Sequence, residues 1–141
     1  MSDFSVREAD WAHDAAAIRR VRETVFVVEQ AVPADLEWDG LDGICKQVIA
    51  EDVNRDAIGT GRLHPSGKIG RMAVIARWRG RGVGAAILAR LIGLARHEGL
   101  EEVFLHGQTR VLDFYAHYGF VAEGEEFDEA DIPHRMMRLK I

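Results

Sequence analysis

Several things are scarce in this chain of 141 residues, and each scarcity excludes something. Cys45 is the only cysteine, so no intrachain disulfide and no cysteine-cluster metal site can form, which fits a reducing, cytoplasmic setting. The apolar runs, such as 25–28 and 73–76, fall far short of the ~18 residues that a membrane span needs. Met1 to Phe4 offer neither a basic nor an apolar leader region, so no secretory signal is expected. Linkers, internal repeats and low-complexity tracts are lacking too, which predicts one domain over residues 1–141. Net positive charge is also absent: 18 Lys and Arg against 23 Asp and Glu give −5, which argues against general nucleic-acid binding. From Ala57 to His97 it is the carboxylates that are missing, while Arg62, Lys68, Arg71, Arg77, Arg79, Arg81, Arg90 and Arg96 fall there. Either these basic residues pair with the acidic remainder in the fold, or they build an anion site within an acidic protein.

What is present reads as alternating strands and helices. Phe4–Ala9 alternates like a strand, and Asp10 can cap a helix on which Ala15, Ile18, Val21, Val25 and Val28 share a face. Pro33 ends that segment, and Ala34 to Gly43 reads as a polar loop anchored by Trp38 and Leu41. Ile44–Glu51 and Ala57–Leu63 form a hairpin, and Lys68–Ile75 a fourth strand. An apolar helix follows from Val83 to His97, closed by Gly99, and then a strand over Glu102–Gly107. Thr109 is placed to cap a short helix running through Tyr118 to Gly119; Phe114 and Tyr118 read as core aromatics on it. Phe120–Phe127 and His134–Ile141 close the chain as strands, so the expected class is α+β.

The chemistry concentrates in Arg79-Gly80-Arg81-Gly82-Val83-Gly84, between a strand and a helix start. Glycines there let backbone amides turn inward, and a helix N-terminus adds about half a positive charge, so the segment suits phosphates. Gly84-Ala-Ala does not supply the Gly-Lys-Ser/Thr of a nucleotide P-loop. Gly80, Gly82 and Ala85 match a dinucleotide G-x-G-x-x-A, with Glu101 and Glu102 near the expected interval. In that motif, however, the strand runs straight into the first glycine, and the acid ends the second strand rather than preceding it. A nicotinamide-dependent enzyme is therefore kept only as a rival.

Arg79-x-x-Gly82-x-Gly84 resembles the coenzyme A pyrophosphate loop of the GNAT acetyltransferase superfamily. Gly70-Arg-Met-Ala-Val lies ahead of it, and Asp113-Phe-Tyr-Ala-His-Tyr-Gly-Phe about thirty residues behind. Val25-Phe-Val-Val-Glu-Gln, Glu37-Trp-Asp-Gly-Leu-Asp, Leu105-His-Gly-Gln and Ile132-Pro-His are similar to the small bacterial ElaA-type branch. Gly107 stands where alanine would be expected, and Gln108 lies near the place of an asparagine common in the superfamily. The resemblance implies a GNAT-like fold: a central mixed, mostly antiparallel sheet splayed at strands 4 and 5 and flanked by helices. It also implies acetyl-CoA as cosubstrate and an N-acetyltransferase acting on a primary amine by direct attack.

In that reading the backbone of Met72, Ala73 and Val74 orients the pantetheine arm, with Phe114 touching it. The amides of Arg79, Gly80, Arg81, Gly82, Val83 and Gly84 hold the pyrophosphate. Tyr115 is the general acid, since a phenol near pKa 10 stays protonated and can protonate a departing thiolate. His106 and Glu29 are alternative bases, and Glu29, Glu37, Asp39 and Asp42 are candidates to bind an ammonium group, unless they are a solvated acidic loop. His64, His106 and His134 follow no metal-ligand spacing, so no metal is expected. The acceptor is a small-molecule or protein amine, with no nucleic acid or membrane partner; a homodimer is left open. A coenzyme A-binding sensor without turnover is the other rival.

Overall fold

In a computed structural model, residues 3–141 are described. They form β1 (Phe4–Ala9), α1 (Trp11–Arg22), a π-helical turn (Glu23–Glu29), α2 (Ala34–Glu37), β2 (Lys46–Asp52), β3 (Ala57–Leu63) and β4 (Ile69–Val74). The chain continues through α3 (Val83–His97), β5 (Glu102–Gln108), α4 (Leu112–His117), β6 (Val121–Glu129) and β7 (Ile132–Lys140). β1-β2-β3-β4 is an antiparallel sheet, and β5-β7-β6 a second antiparallel one. A single parallel bridge, Lys68 to Phe104, joins them, with the Phe104 amide donating to the Gly67 carbonyl at 3.1 Å. Beyond that bridge β4 and β5 part, so the expected α+β class and the splay at strands 4 and 5 are both found.

Local sequence accounts for the frame. Asp10 caps α1 by accepting from the Ala12 amide at 3.2 Å, and Asp14 accepts the Asp10 amide at 2.9 Å while Arg7 grips its carboxylate. α3 packs on β3 where two glycines leave room: a Cβ on Gly59 would come within 2.9 Å of Ile87, and one on Gly61 within 2.8 Å of Leu91. Ile87, Leu88 and Leu91 are fully buried there, each worth about 1.5–3 kcal/mol of hydrophobic burial. α3 ends as expected, Gly99 at φ +80° and the Leu100 amide reaching back to the Ala95 carbonyl at 3.0 Å.

Four expectations change. The π winding, with the Gln30 amide bonded to the Val25 carbonyl, breaks the 3.6-residue phase; Val25 stays buried while Val28 is 74% exposed. The segment after Pro33 begins as a short helix in which Glu37 is buried and Leu36 exposed, Asp42 is buried further on, and Leu41 is exposed rather than an anchor. Thr109 caps nothing: its hydroxyl donates to the Pro133 carbonyl at 3.2 Å, α4 begins at Leu112, and Tyr118 at its end is 41% exposed, not core. β6 and β7 extend to a two-residue turn, Ala130 and Asp131 both at positive φ.

Candidate active site

Register decides which backbone groups face the splay. The Ile75 amide donates to the Ile58 carbonyl at 3.0 Å, and pairing then alternates along β3 and β4. Ala73 therefore exchanges its backbone bonds with Thr60, while the amide and carbonyl of Val74 point away from β3 into the open side. Just before this point the ladder is bulged opposite Gly61, with Arg71 at φ +51°. A non-glycine residue in that region is strained, and bulges re-aim a strand.

What holds Arg71 there is a buried ionic network on the α1 face. Arg71 Nη2 donates to the carbonyls of Leu36 and Glu37, both at 3.2 Å, and to Asp39 Oδ2 at 3.1 Å. Arg22, with no solvent exposure, binds Glu37 Oε2 at 2.7 Å and Asp42 Oδ1 at 2.6 Å, and its guanidinium lies 5.0 Å over Trp38. Arg62 bridges Asp39 and Asp42. Burial opposes the charge on Asp39 and Asp42, but hydrogen bonds from Arg62 to the first and from Arg22 to the second outweigh it and hold both carboxyls below their ordinary values. For Glu37 burial wins over its three arginines and raises the carboxyl. Glu37, Asp39 and Asp42 are thus engaged by arginines rather than free acids, Glu37 and Asp42 buried and Asp39 at the surface. They neutralise Arg22, Arg62 and Arg71, so part of the basic stretch pairs within the fold.

The loop stands at the open end of β4. Gly80 and Gly82 have φ of +75° and +84°, and Gly82 caps α3 without a side-chain bond. A Cβ on either would meet nothing within 4 Å, so their surroundings are open. By helix geometry the amides of Val83, Gly84 and Ala85 have no partner four residues back. Arg79 Nε donates to the Val74 carbonyl at 2.9 Å, and its Nη1 pairs with Glu29 at 2.6 Å. Arg81 lies 4.8 Å over the Trp78 ring, and the Val83 side chain is in the core. The residues fit a pyrophosphate: an open, amide-rich, glycine-bounded turn at a helix start with two arginines beside it.

α4 lies across the splay from β4. Its end is fixed by Gly119 at φ +94°, with the Phe120 amide on the Tyr115 carbonyl. The Tyr115 hydroxyl points to Met72 Sδ on β4 at 3.9 Å, and desolvation pushes its pKa up to about 12. Phe114 stands edge-on to Tyr115, 5.1 Å between centroids, and its ring is 3.6 Å from where a Gly84 Cβ would be. Gly107 explains the departure from alanine: a Cβ there would lie 3.1 Å from Leu112 and 3.4 Å from Tyr115, so glycine lets α4 settle closer to β5.

Strand alternation puts His106 and Gln108 on the face of β5 opposite Gly107 and Tyr115. Gln108 donates to Gln30 at the end of the π turn, at 3.0 Å, and accepts from Arg110. His106 bonds Glu129 at 3.0 Å, and His134 lies near the same carboxylate; His64 is elsewhere, bonded to Ser66. Beside the end of β3 and the end of α3, a pocket of about 400 Å³ is lined by Cys45, Leu63, His64 and Leu100. Burial raises the thiol of Cys45. The arrangement as a whole is a slot between two strands, with an open, glycine-bounded turn at its mouth, the Tyr115 phenol on one face and the His106 imidazole on the other. It is the geometry of an acyl-group transferase.

The comparisons agree. Residues 13–141 match the model of the acetyltransferase (GNAT) domain, and the chain belongs to this family. It is 36% identical over 121 residues to the uncharacterized N-acetyltransferase YjcF of Bacillus subtilis, covering 83% of this chain and 86% of that protein. An acyl-CoA N-acyltransferase from Pseudomonas aeruginosa superposes with TM-score 0.82 and 32% identity, covering 96% of this chain and 97% of that one. Escherichia coli ElaA also superposes at TM-score 0.82, with 26% identity over 95% of this chain and 98% of its own. The protein is an acyltransferase. Among the described residues no helix is long and apolar enough to cross a membrane.

Proposed function

We propose that this chain is an N-acetyltransferase that moves an acetyl group from acetyl-CoA to a primary amine, of a small molecule or a protein, by direct attack. The observation that carries the reading is the Tyr115 hydroxyl aimed across the open splay at Met72, 3.9 Å away, below the glycine loop. The family match and the Pseudomonas acyl-CoA relative support the choice of donor.

The amides of Arg79 to Gly84 would hold the pyrophosphate, and the backbone of Met72 to Val74, with Val74 outward, would orient the pantetheine arm. Phe114 would pack against that arm. His106 Nε2 takes one proton from the acceptor ammonium, and the freed nitrogen lone pair forms the C–N bond. As the C–S bond breaks, its electron pair leaves on sulfur, and Tyr115 gives that sulfur its hydroxyl proton. The amide nitrogen sheds its second proton through solvent to restore Tyr115, and His106 releases its own, so one proton leaves per turnover. Because Tyr115 titrates at about 12, it stays protonated and competent through neutral and moderately basic pH. Glu29 is assigned to clamping Arg79 rather than to the base, since its carboxylate is engaged by that guanidinium at 2.6 Å.

Thiol release from acetyl-CoA is to be followed with spermidine, phenethylamine and a lysine-bearing peptide as probe amines. Tyr115→Phe is expected to lower kcat roughly 10²-fold with acetyl-CoA affinity little changed. Equal turnover in variant and wild type removes Tyr115 from the chemistry. Coenzyme A binding with no thiol release on any amine would mark a sensor.

A further inference from the structure

The roles above leave Glu129 unused, yet it sits at the centre of a cluster on the face of the second sheet that carries His106 and Gln108. His106 Nδ1 lies 3.0 Å from Glu129 Oε1, and because a carboxylate only accepts, that nitrogen carries the hydrogen. The Phe127 ring stands edge-on to the His106 imidazole at 5.1 Å between centroids and stacks on His134 at 6.0 Å. His134, 6% exposed, gives its Nδ1 hydrogen to the Ile132 carbonyl at 2.6 Å, so the nitrogen turned to Glu129 Oε2, 3.7 Å away, is Nε2. Lys68, ahead of β4, is the other charge acting on Glu129; Glu123 on β6 is taken by Arg138 at 2.8 Å. Partial burial opposes the charge on Glu129, but the His106 hydrogen bond outweighs it, with smaller help from His134 and Lys68, and keeps the carboxyl below its ordinary value.

This inference rests on His106 as the base. We propose that Glu129 is the positioning residue for that base: it holds the imidazole in the Nδ1–H form, braced by Phe127, with the Nε2 lone pair free for the acceptor amine. The ammonium N–H bond breaks, its electron pair stays on the amine nitrogen, and the proton bonds to Nε2. The imidazolium so formed is stabilised by the Glu129 carboxylate, which keeps its charge throughout, until Nε2 returns the proton to solvent.

The test is ¹⁵N NMR of the imidazoles in the intact chain with saturating coenzyme A, beside thiol release with the same three probe amines. Wild type is expected to show His106 with hydrogen on Nδ1 and none on Nε2. Glu129→Leu should move the hydrogen toward Nε2 and lower kcat by roughly tenfold or more, leaving KM for acetyl-CoA unchanged. Glu129→Gln keeps an acceptor oxygen but not the charge, and should retain the tautomer with a smaller loss in kcat. It decides the question if the leucine variant does not fold. Hydrogen on Nε2 in the wild type, or a tautomer or kcat indifferent to these substitutions, overturns the proposal. His106→Gln at wild-type turnover also overturns it while leaving Tyr115 and the thioester slot standing; failure of every amine with wild type removes the transferase reading and this one with it.

Discussion

The two walls of the slot are made of different materials. The β4 wall presents backbone: the outward Val74 groups, the bulge at Arg71 and the loop glycines at φ +75° and +84°. The β5 wall and α4 present side chains: Tyr115, His106, Gln108 and, behind them, Glu129. A backbone site needs a fixed chain path, and the ionic network of Arg22, Arg62 and Arg71 supplies it on the α1 face. A side-chain site needs rotamers held from behind, and the Gly107 contact, Phe127 and Glu129 do that. In the proposed reaction one wall would take the part of the thioester shared by every turnover, and the other would face what varies between acceptors.

Substitutions can break this division. The largest effect is expected from Arg22→Ala, which leaves Glu37 and Asp42 buried without their main partner; a loss of about 3–5 kcal/mol should lower Tm by roughly 10 °C or more. A thermal melt close to wild type would mean that the bulge does not depend on the network. Gly82→Val should come next. It strains a left-handed position by at least ~1–2 kcal/mol and projects a side chain where the phosphates would approach. Acetyl-CoA affinity by calorimetry should fall at least about tenfold, and unaltered affinity would count against the loop as the cradle. Gly107→Ala should be the mildest: the new methyl must push Leu112 and Leu105 by a few tenths of an ångström, and the shift of Leu112, one turn ahead of Tyr115 on α4, should cost a few-fold in kcat without a change in acetyl-CoA affinity. An unchanged kcat would show that the phenol tolerates displacement.

The same division explains what the sequence could reveal. The glycine turn and α3 with its Gly99 ending are local in the chain, so spacing carried them, while the coenzyme A reading of the loop and the role of Tyr115 came from the resemblance to the acetyltransferase family. The network joins Arg22 to acids 15 and 20 residues away and Arg62 to acids 20 and 23 away. Read along the chain, Glu37, Asp39 and Asp42 therefore look like free acids. Glu129 meets His106 only because β6 and β7 pair through a tight turn of Ala130 and Asp131, which lack the usual Asn-Gly signal. Val28 was misplaced because helical periodicity assumes a constant pitch, and the π turn changes it.

If the slot between β4 and β5 is an acetyl-CoA site, acetyl-CoA should stabilise the fold selectively. The most direct measurement is a thermal melt of the intact chain with acetyl-CoA, NAD and ATP side by side. At about 100 times its Kd a ligand of the folded state adds about 2.7 kcal/mol, a rise of several degrees in Tm. The account predicts that rise with acetyl-CoA alone. A selective rise with NAD, or none with acetyl-CoA at millimolar concentration, would contradict it.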